Sequence, residues 1–165
     1  MSYYMIATFF SFVTACFTMA ASWTKDPHRT FYYQTAQCLV YAVAAYFYGV
    51  YPCIIMMLIC ALRDYLIGAQ KYQKIHCLFF FVLALGLGLW TNSSGIVGLL
   101  SILATLQITV CAYFLKKPVL VKINVGVNLI IWLIYDFLIL DFFSGIVDLV
   151  GIVLAFLAAW RISKQ

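Results

Sequence analysis

Seven apolar runs divide the chain, at approximately residues 4–22, 31–50, 52–67, 76–90, 95–115, 119–139 and 142–161. Several are near the lower limit of about 17 residues that a helix needs to cross the hydrocarbon layer of a membrane. The joints between them are short: Trp23-Thr-Lys-Asp-Pro-His-Arg-Thr30, Gly49-Val-Tyr-Pro52, Ala69-Gln-Lys-Tyr-Gln-Lys74, Thr91-Asn-Ser-Ser94, Lys116-Lys-Pro118 and Leu140-Asp-Phe142. The pattern predicts an all-α membrane protein of seven transmembrane helices.

The sixth run is the one interrupted by polar groups. Between Lys122 and Asp148 the chain carries Asn124, Asn128, Trp132, Tyr135, Asp136 and Asp148 in an otherwise apolar stretch. At about 100° per residue, Asn124, Asn128, Trp132 and Tyr135 share one narrow sector of a helix, with Asp136 beside it. Hydrocarbon offers no water to an amide or a carboxylate, so each group must meet a protein partner, a wet cavity or a solute. The second run has a matching face of Gln34, Gln37, Tyr41, Ala45 and Tyr48. The first adds a stripe of Ser11, Thr14, Thr18 and Ser22, and the fifth adds Gly98, Ser101, Thr105 and Thr109.

These stripes carry different weight. Ser and Thr hydroxyls bond their own helix at little cost, so those stripes read as helix-packing faces. The carboxamides of Gln37 and Asn128 either bond each other or contact solute or water. Trp23, Trp90 and Trp160 fall at expected membrane interfaces, whereas Trp132 lies near mid-membrane, where it stacks on a solute or packs as an ordinary ring. Asp136 precedes the outer turn around Asp141 and Asp148 follows it, which brings two carboxylates to similar depth. Two close carboxylates in a low dielectric resist joint ionisation, and one becomes a candidate proton carrier; alternatively Asp136 reaches the outer interface.

Composition removes the soluble alternatives. With 67% hydrophobic and 9% charged residues and a mean hydropathy of +1.06, the expected partner is the lipid bilayer. The net charge of +5 is no nucleic-acid signal, because the basic residues gather at helix ends. Lys25 and Arg29 follow the first helix, Arg63, Lys71 and Lys74 end or follow the third, Lys116, Lys117 and Lys122 follow the fifth, and Arg161 and Lys164 end the seventh. The positive-inside rule then puts the N-terminus outside and the C-terminus in the cytoplasm. Met1-Ser-Tyr-Tyr-Met lacks the basic region of a cleavable signal, so the first run is expected to be retained. Arg63 beside Asp64 reads as a local ion pair at the cytoplasmic end.

Catalytic chemistry has no foothold. Six cysteines (Cys16, Cys38, Cys53, Cys60, Cys77 and Cys111) show neither zinc nor redox spacing and read as small packing residues. There is no Gly-rich phosphate loop, no HExxH and no Ser/His/Asp spacing, so no catalytic residue, metal ligand or cofactor is expected.

An internal similarity recurs at an offset of 91 positions. Thr14 matches Thr105, Thr18 matches Thr109, Lys25 matches Lys116 and Pro27 matches Pro118, while Gln37 aligns with Asn128 and Tyr41 with Trp132. An odd linking helix leaves both halves in the same orientation. The expected division is a first three-helix bundle over 1–75, a linker helix over 76–94 and a second, parallel bundle over 95–165.

The order of Arg29 and Gln34, Gly49-Val-Tyr51-Pro52, Ala61-Leu62-Arg63, Trp132-Leu-Ile-Tyr-Asp136-Phe137, Asp148 and Arg161 resembles the YgjV-like bacterial inner-membrane proteins over most of the chain. That family is similar in turn to the sugar facilitators (SWEET) and nicotinamide riboside (PnuC-type) transporters. The resemblance implies a facilitator for a small polar organic solute in the bacterial inner membrane, bound between the two bundles by Gln37, Tyr41, Asn128, Trp132 and Tyr135, with Asp136 and Asp148 as proton-coupling candidates. Homo-oligomerisation stays open. The alternative, from another class, is a non-transporting module whose polar stripes contact a partner protein. One departure is visible: the sugar facilitators kink helices with proline, whereas Pro27, Pro52 and Pro118 all fall in joints here, leaving flexibility to glycines such as Gly126 and Gly151.

Overall fold

The structure, a computed structural model, describes residues 3–49, 51–92, 95–138, 140 and 142–164. Seven α-helices follow in order: α1 (Tyr3–Trp23), α2 (Pro27–Tyr48), α3 (Tyr51–Gly68), α4 (Lys74–Thr91), α5 (Gly95–Phe114), α6 (Pro118–Leu138) and α7 (Phe142–Ser163). Their ends have local causes. Asp26 accepts a hydrogen bond from the His28 amide at 2.8 Å and Pro27 occupies the first turn of α2, a combination that satisfies one free N–H and removes another. Gly49 closes α2 at φ +74°, a left-handed conformation that a side chain would resist. Among the described residues, α1, α4, α5, α6 and α7 are long and apolar enough to cross a membrane. Falling outside that group, α2 carries His28, Arg29, Gln34, Gln37 and five tyrosines, and α3 carries Arg63 and Asp64.

Burial is inverted relative to a soluble protein. Of the six largest fully buried side chains, five are polar (Lys122, Thr30, Thr109, Asp64 and Ser22), and only Val125 is not. Phe9, Phe12, Leu58, Leu78, Val82, Ile96, Leu103, Ile146 and Val153 are all exposed. An apolar exterior around a polar interior is the arrangement that lipid favours, since hydrocarbon solvates leucine but not a charge.

Each helix packs against its neighbours in chain order, and α7 closes back onto α1. Across this closed circuit α6 also touches α1 and α2, and α3 touches α5. Small residues allow the close approach: Ala7, Ala15 and Ala21 on α1, Ala42, Ala44 and Ala45 on α2, and Ala155, Ala158 and Ala159 on α7 are all buried. Gly151 is the tightest such point on α7, where a Cβ would lie 2.9 Å from Leu129 and 3.4 Å from the Ser22 hydroxyl of α1. Phe31, Ala112 and Val121, with Ile67, join α2, α5, α6 and α3 in one apolar cluster near the basic ends of the helices.

Candidate functional site

Two amides of α6 are bound into the wall of the protein. Asn124 and Asn128 are 4% and 8% exposed. The Asn128 amide donates to the Ala104 carbonyl at 2.6 Å and to Gln107 Oε1 at 2.9 Å, and Gln107 Nε2 donates to Asn124 Oδ1. Gln107 of α5 therefore ties both asparagines, and the Gln37–Asn128 pairing suggested by the repeat is not formed among the described residues. Gln107 was not singled out from the sequence, although its place inside an apolar run was the available signal. The hydroxyl stripes behave as packing faces: Thr14, Thr18, Thr105 and Thr109 each donate to the carbonyl four residues earlier.

The aromatic residues are less enclosed. On α6, the buried positions Val121, Lys122, Asn124, Val125, Gly126, Asn128, Leu129 and Asp136 define one inward sector. Trp132 lies within it yet is only half-buried, and meets Tyr135 edge-on with ring centroids 5.6 Å apart. On α2 the buried sector is set by Thr30, Phe31, Ala42, Ala44 and Ala45. Gln37 lies in that sector half-buried, and Tyr41, also in it, is 37% exposed. Along these sectors Thr30 and Lys122 are fully buried, whereas Tyr41 and Trp132 are partly accessible. A separate groove of about 470 Å³ is lined only by apolar residues, including Ile96, Leu100, Leu103 and Leu138, and offers nothing to orient a polar solute.

Asp136 is 6% exposed, and α7 passes beside it: a Cβ on Gly145 would lie 3.8 Å from the Asp136 Cβ. Asp148 stands one turn further along α7, a rise of about 4.5 Å. Asp141, which marks the turn between them, lies outside the described residues.

Two buried cations bridge distant parts of the chain. Lys122 stands in the second turn of α6, within the sixth apolar run, and is fully buried. Its ammonium donates to the Ala21 carbonyl and to Thr30 Oγ1, both at 2.5 Å. Ala21 belongs to the last turn of α1, whose carbonyls lack partners within the helix and carry the negative end of its dipole. Lys122 therefore caps α1 from α6.

Arg63 and Asp64 form the expected ion pair, Nε to Oδ1 at 2.8 Å, and both are buried. Arg63 also donates to Thr109 Oγ1 at 3.1 Å and the Thr105 carbonyl at 3.3 Å, pinning α3 to α5. Tyr72, in the joint before α4, donates to the Thr109 carbonyl at 3.1 Å. Burial pushes its phenol above the usual range, which keeps that donor protonated.

Among the described residues no cluster of three or more His, Cys, Asp or Glu side chains is placed to hold a metal. A family profile described as Imp-YgjV, bacterial inner membrane protein, matches residues 5–165. No curated protein and no solved structure matches the chain.

Proposed function

The chain belongs to the Imp-YgjV family of bacterial inner membrane proteins, and on that premise we propose that it transports a small polar organic solute, held between two three-helix units near Gln37, Tyr41, Trp132 and Tyr135. The observation that carries this reading is the pair Tyr41 and Trp132. They are partners at the 91-residue offset, they lie on the inward faces of α2 and α6, and neither is fully buried. The helix boundaries follow the same offset: α2 starts at 27 and α6 at 118, and α3 starts at 51 and α7 at 142. Residues 1–75 and 95–165 are then repeats in one orientation, α4 is the inverting linker, and the relation to sugar and nicotinamide riboside carriers follows from that plan.

Within this reading Asn128 stiffens the floor of the site through α5, Asp136 and Asp148 relay a proton, and no covalent chemistry is involved. Purified protein in liposomes, screened against a metabolite panel with and without an imposed pH gradient, is expected to show uptake of at least one polar solute. Asp136→Asn is expected to remove the response to the gradient. No uptake of any solute by folded protein would favour the second reading, a module that assembles with another protein. That reading draws support from the amides of Asn124 and Asn128, which already find partners within the chain.

Orientation completes the proposal. Because Lys25, Arg29, Lys71, Lys74, Lys116, Lys117, Arg161 and Lys164 all fall at one set of helix ends, reporter fusions are expected to place the C-terminus in the cytoplasm. A periplasmic C-terminus would remove the topological basis of the parallel repeat.

A further inference from the structure

We propose that the corner between α1 and α7, on the side of the basic residues, is a binding site for an anionic phospholipid. The observation is a matched pair of surfaces, one for an acyl chain and one for a phosphate. A shallow groove of about 370 Å³ between the two helices is lined by Met19, Ala20, Trp23 and Leu154, all apolar. At the end of that groove the Arg161 guanidinium lies over the Trp23 ring, 4.5 Å from its centroid. Next to it the Lys164 ammonium lies 3.9 Å from the centroid of Trp160. Lys25 follows Trp23 by two residues in the α1–α2 joint.

The chemistry of this corner is specific in two ways. First, its cations are not in the ion pairs of the described residues. The ion pairs among the described residues are Arg29 with Asp26 and Arg63 with Asp64, which leaves Lys25, Arg161 and Lys164 outside any ion pair. Asp26 is the nearest acid in sequence, and its carboxylate already caps α2 and faces Arg29. Second, a guanidinium held over an indole has several N–H groups, and such a fork can take two oxygens of one phosphate. Trp23 and Trp160 are 48% and 56% exposed, as indoles at the headgroup level are. From Leu154 to Arg161 is seven residues, or about 10 Å along α7.

Polar headgroup, glycerol and chain thus meet cation, indole and groove in the right order. Basic pockets between helices on the cytoplasmic side are suited to anionic lipids because surface potential and direct pairing act together. Such a lipid would also act on the fold, since α1 and α7 are the first and last helices and their contact closes the circuit. The proposal does not depend on transport.

The test is native mass spectrometry and thermal unfolding of the full chain in neutral detergent, with added phosphatidylglycerol or cardiolipin, phosphatidylcholine, or inorganic phosphate. Anionic lipid is expected to remain as a stoichiometric adduct and to raise the unfolding midpoint by several degrees, while phosphatidylcholine and phosphate do neither. Arg161→Gln is expected to weaken retention at least tenfold, and Arg161→Lys to be intermediate. Lys117→Gln, a basic residue on the same side in the α5–α6 joint, is expected to leave retention unchanged. Equal losses in Arg161→Gln and Lys117→Gln would mean a diffuse charge effect and overturn the site. So would stabilisation by phosphatidylcholine or by free phosphate, or a second copy of the chain that displaces lipid from α1 and α7.

Discussion

Replacing Arg63 with alanine is expected to destabilise the protein by about 3–5 kcal/mol, the usual consequence of removing one member of a buried ion pair. The cause is the charge left behind. Asp64 is only 2% exposed and its carboxylate accepts from Arg63 Nε at 2.8 Å, so without the guanidinium it must either stay ionised in an apolar setting or take up a proton. The loss also unpins two helices, because Arg63 carries hydrogen bonds to both Thr105 and Thr109 of α5. The double variant Arg63→Met with Asp64→Leu separates these effects. It removes both charges and keeps volume, so it is expected to recover most of the charge-related loss and leave only the missing α3–α5 bonds. The measurement is the midpoint of heat-induced unfolding in detergent for Arg63→Ala and for the double variant. If Arg63→Ala unfolds within a degree or two of the parent, the ion pair is not a structural element of the seam.

Much of the fold was legible because its signals are local. Seven apolar runs became seven helices whose ends fall within a few residues of those read from the chain, since Asp26-Pro27, Gly49 and Pro118 act on backbone conformation where they stand. The stripes of threonine were also legible, because a hydroxyl that bonds its own helix needs no information from elsewhere. What periodicity cannot give is which helix a face meets. The polar sector of α6 follows from spacing alone, but the Asn128 amide bonds Gln107 of α5 and not Gln37 of α2. Partnership between helices is set by the shapes of whole surfaces, here by alanines and Gly151, and no spacing within one segment encodes it.

Lys122 illustrates the same limit for charge. Counting basic residues by loop assigns sidedness, and Lys122 belongs to the correct end of α6. The count gives its side of the membrane and not its partner: Pro118 starts the helix one turn earlier, and Lys122 meets the end of α1. The two cationic pins, Lys122 and Arg63, both lie towards the basic ends of their helices. The half-buried aromatics lie towards the other.

Trp132→Ala is expected to reduce solute flux at least tenfold, a loss of about 1.4 kcal/mol or more in binding or in the transport barrier, while costing less stability than an enclosed ring would. Truncating an aromatic side chain in a packed core removes about 3–5 kcal/mol. Trp132 is half-buried and its ring contact is the edge-on pair with Tyr135, so a smaller fall in unfolding midpoint is expected. Trp132→Phe keeps an aromatic face with less area and no N–H. A solute held by stacking would then retain part of its flux in the Phe variant, whereas one held through the indole N–H would lose it in both. Flux in liposomes and thermal midpoint in detergent, measured for all three proteins at matched reconstitution, separate the roles. An Ala variant that folds and transports at the parent rate would make Trp132 a packing residue, and the solute site would have to lie elsewhere than between α2 and α6.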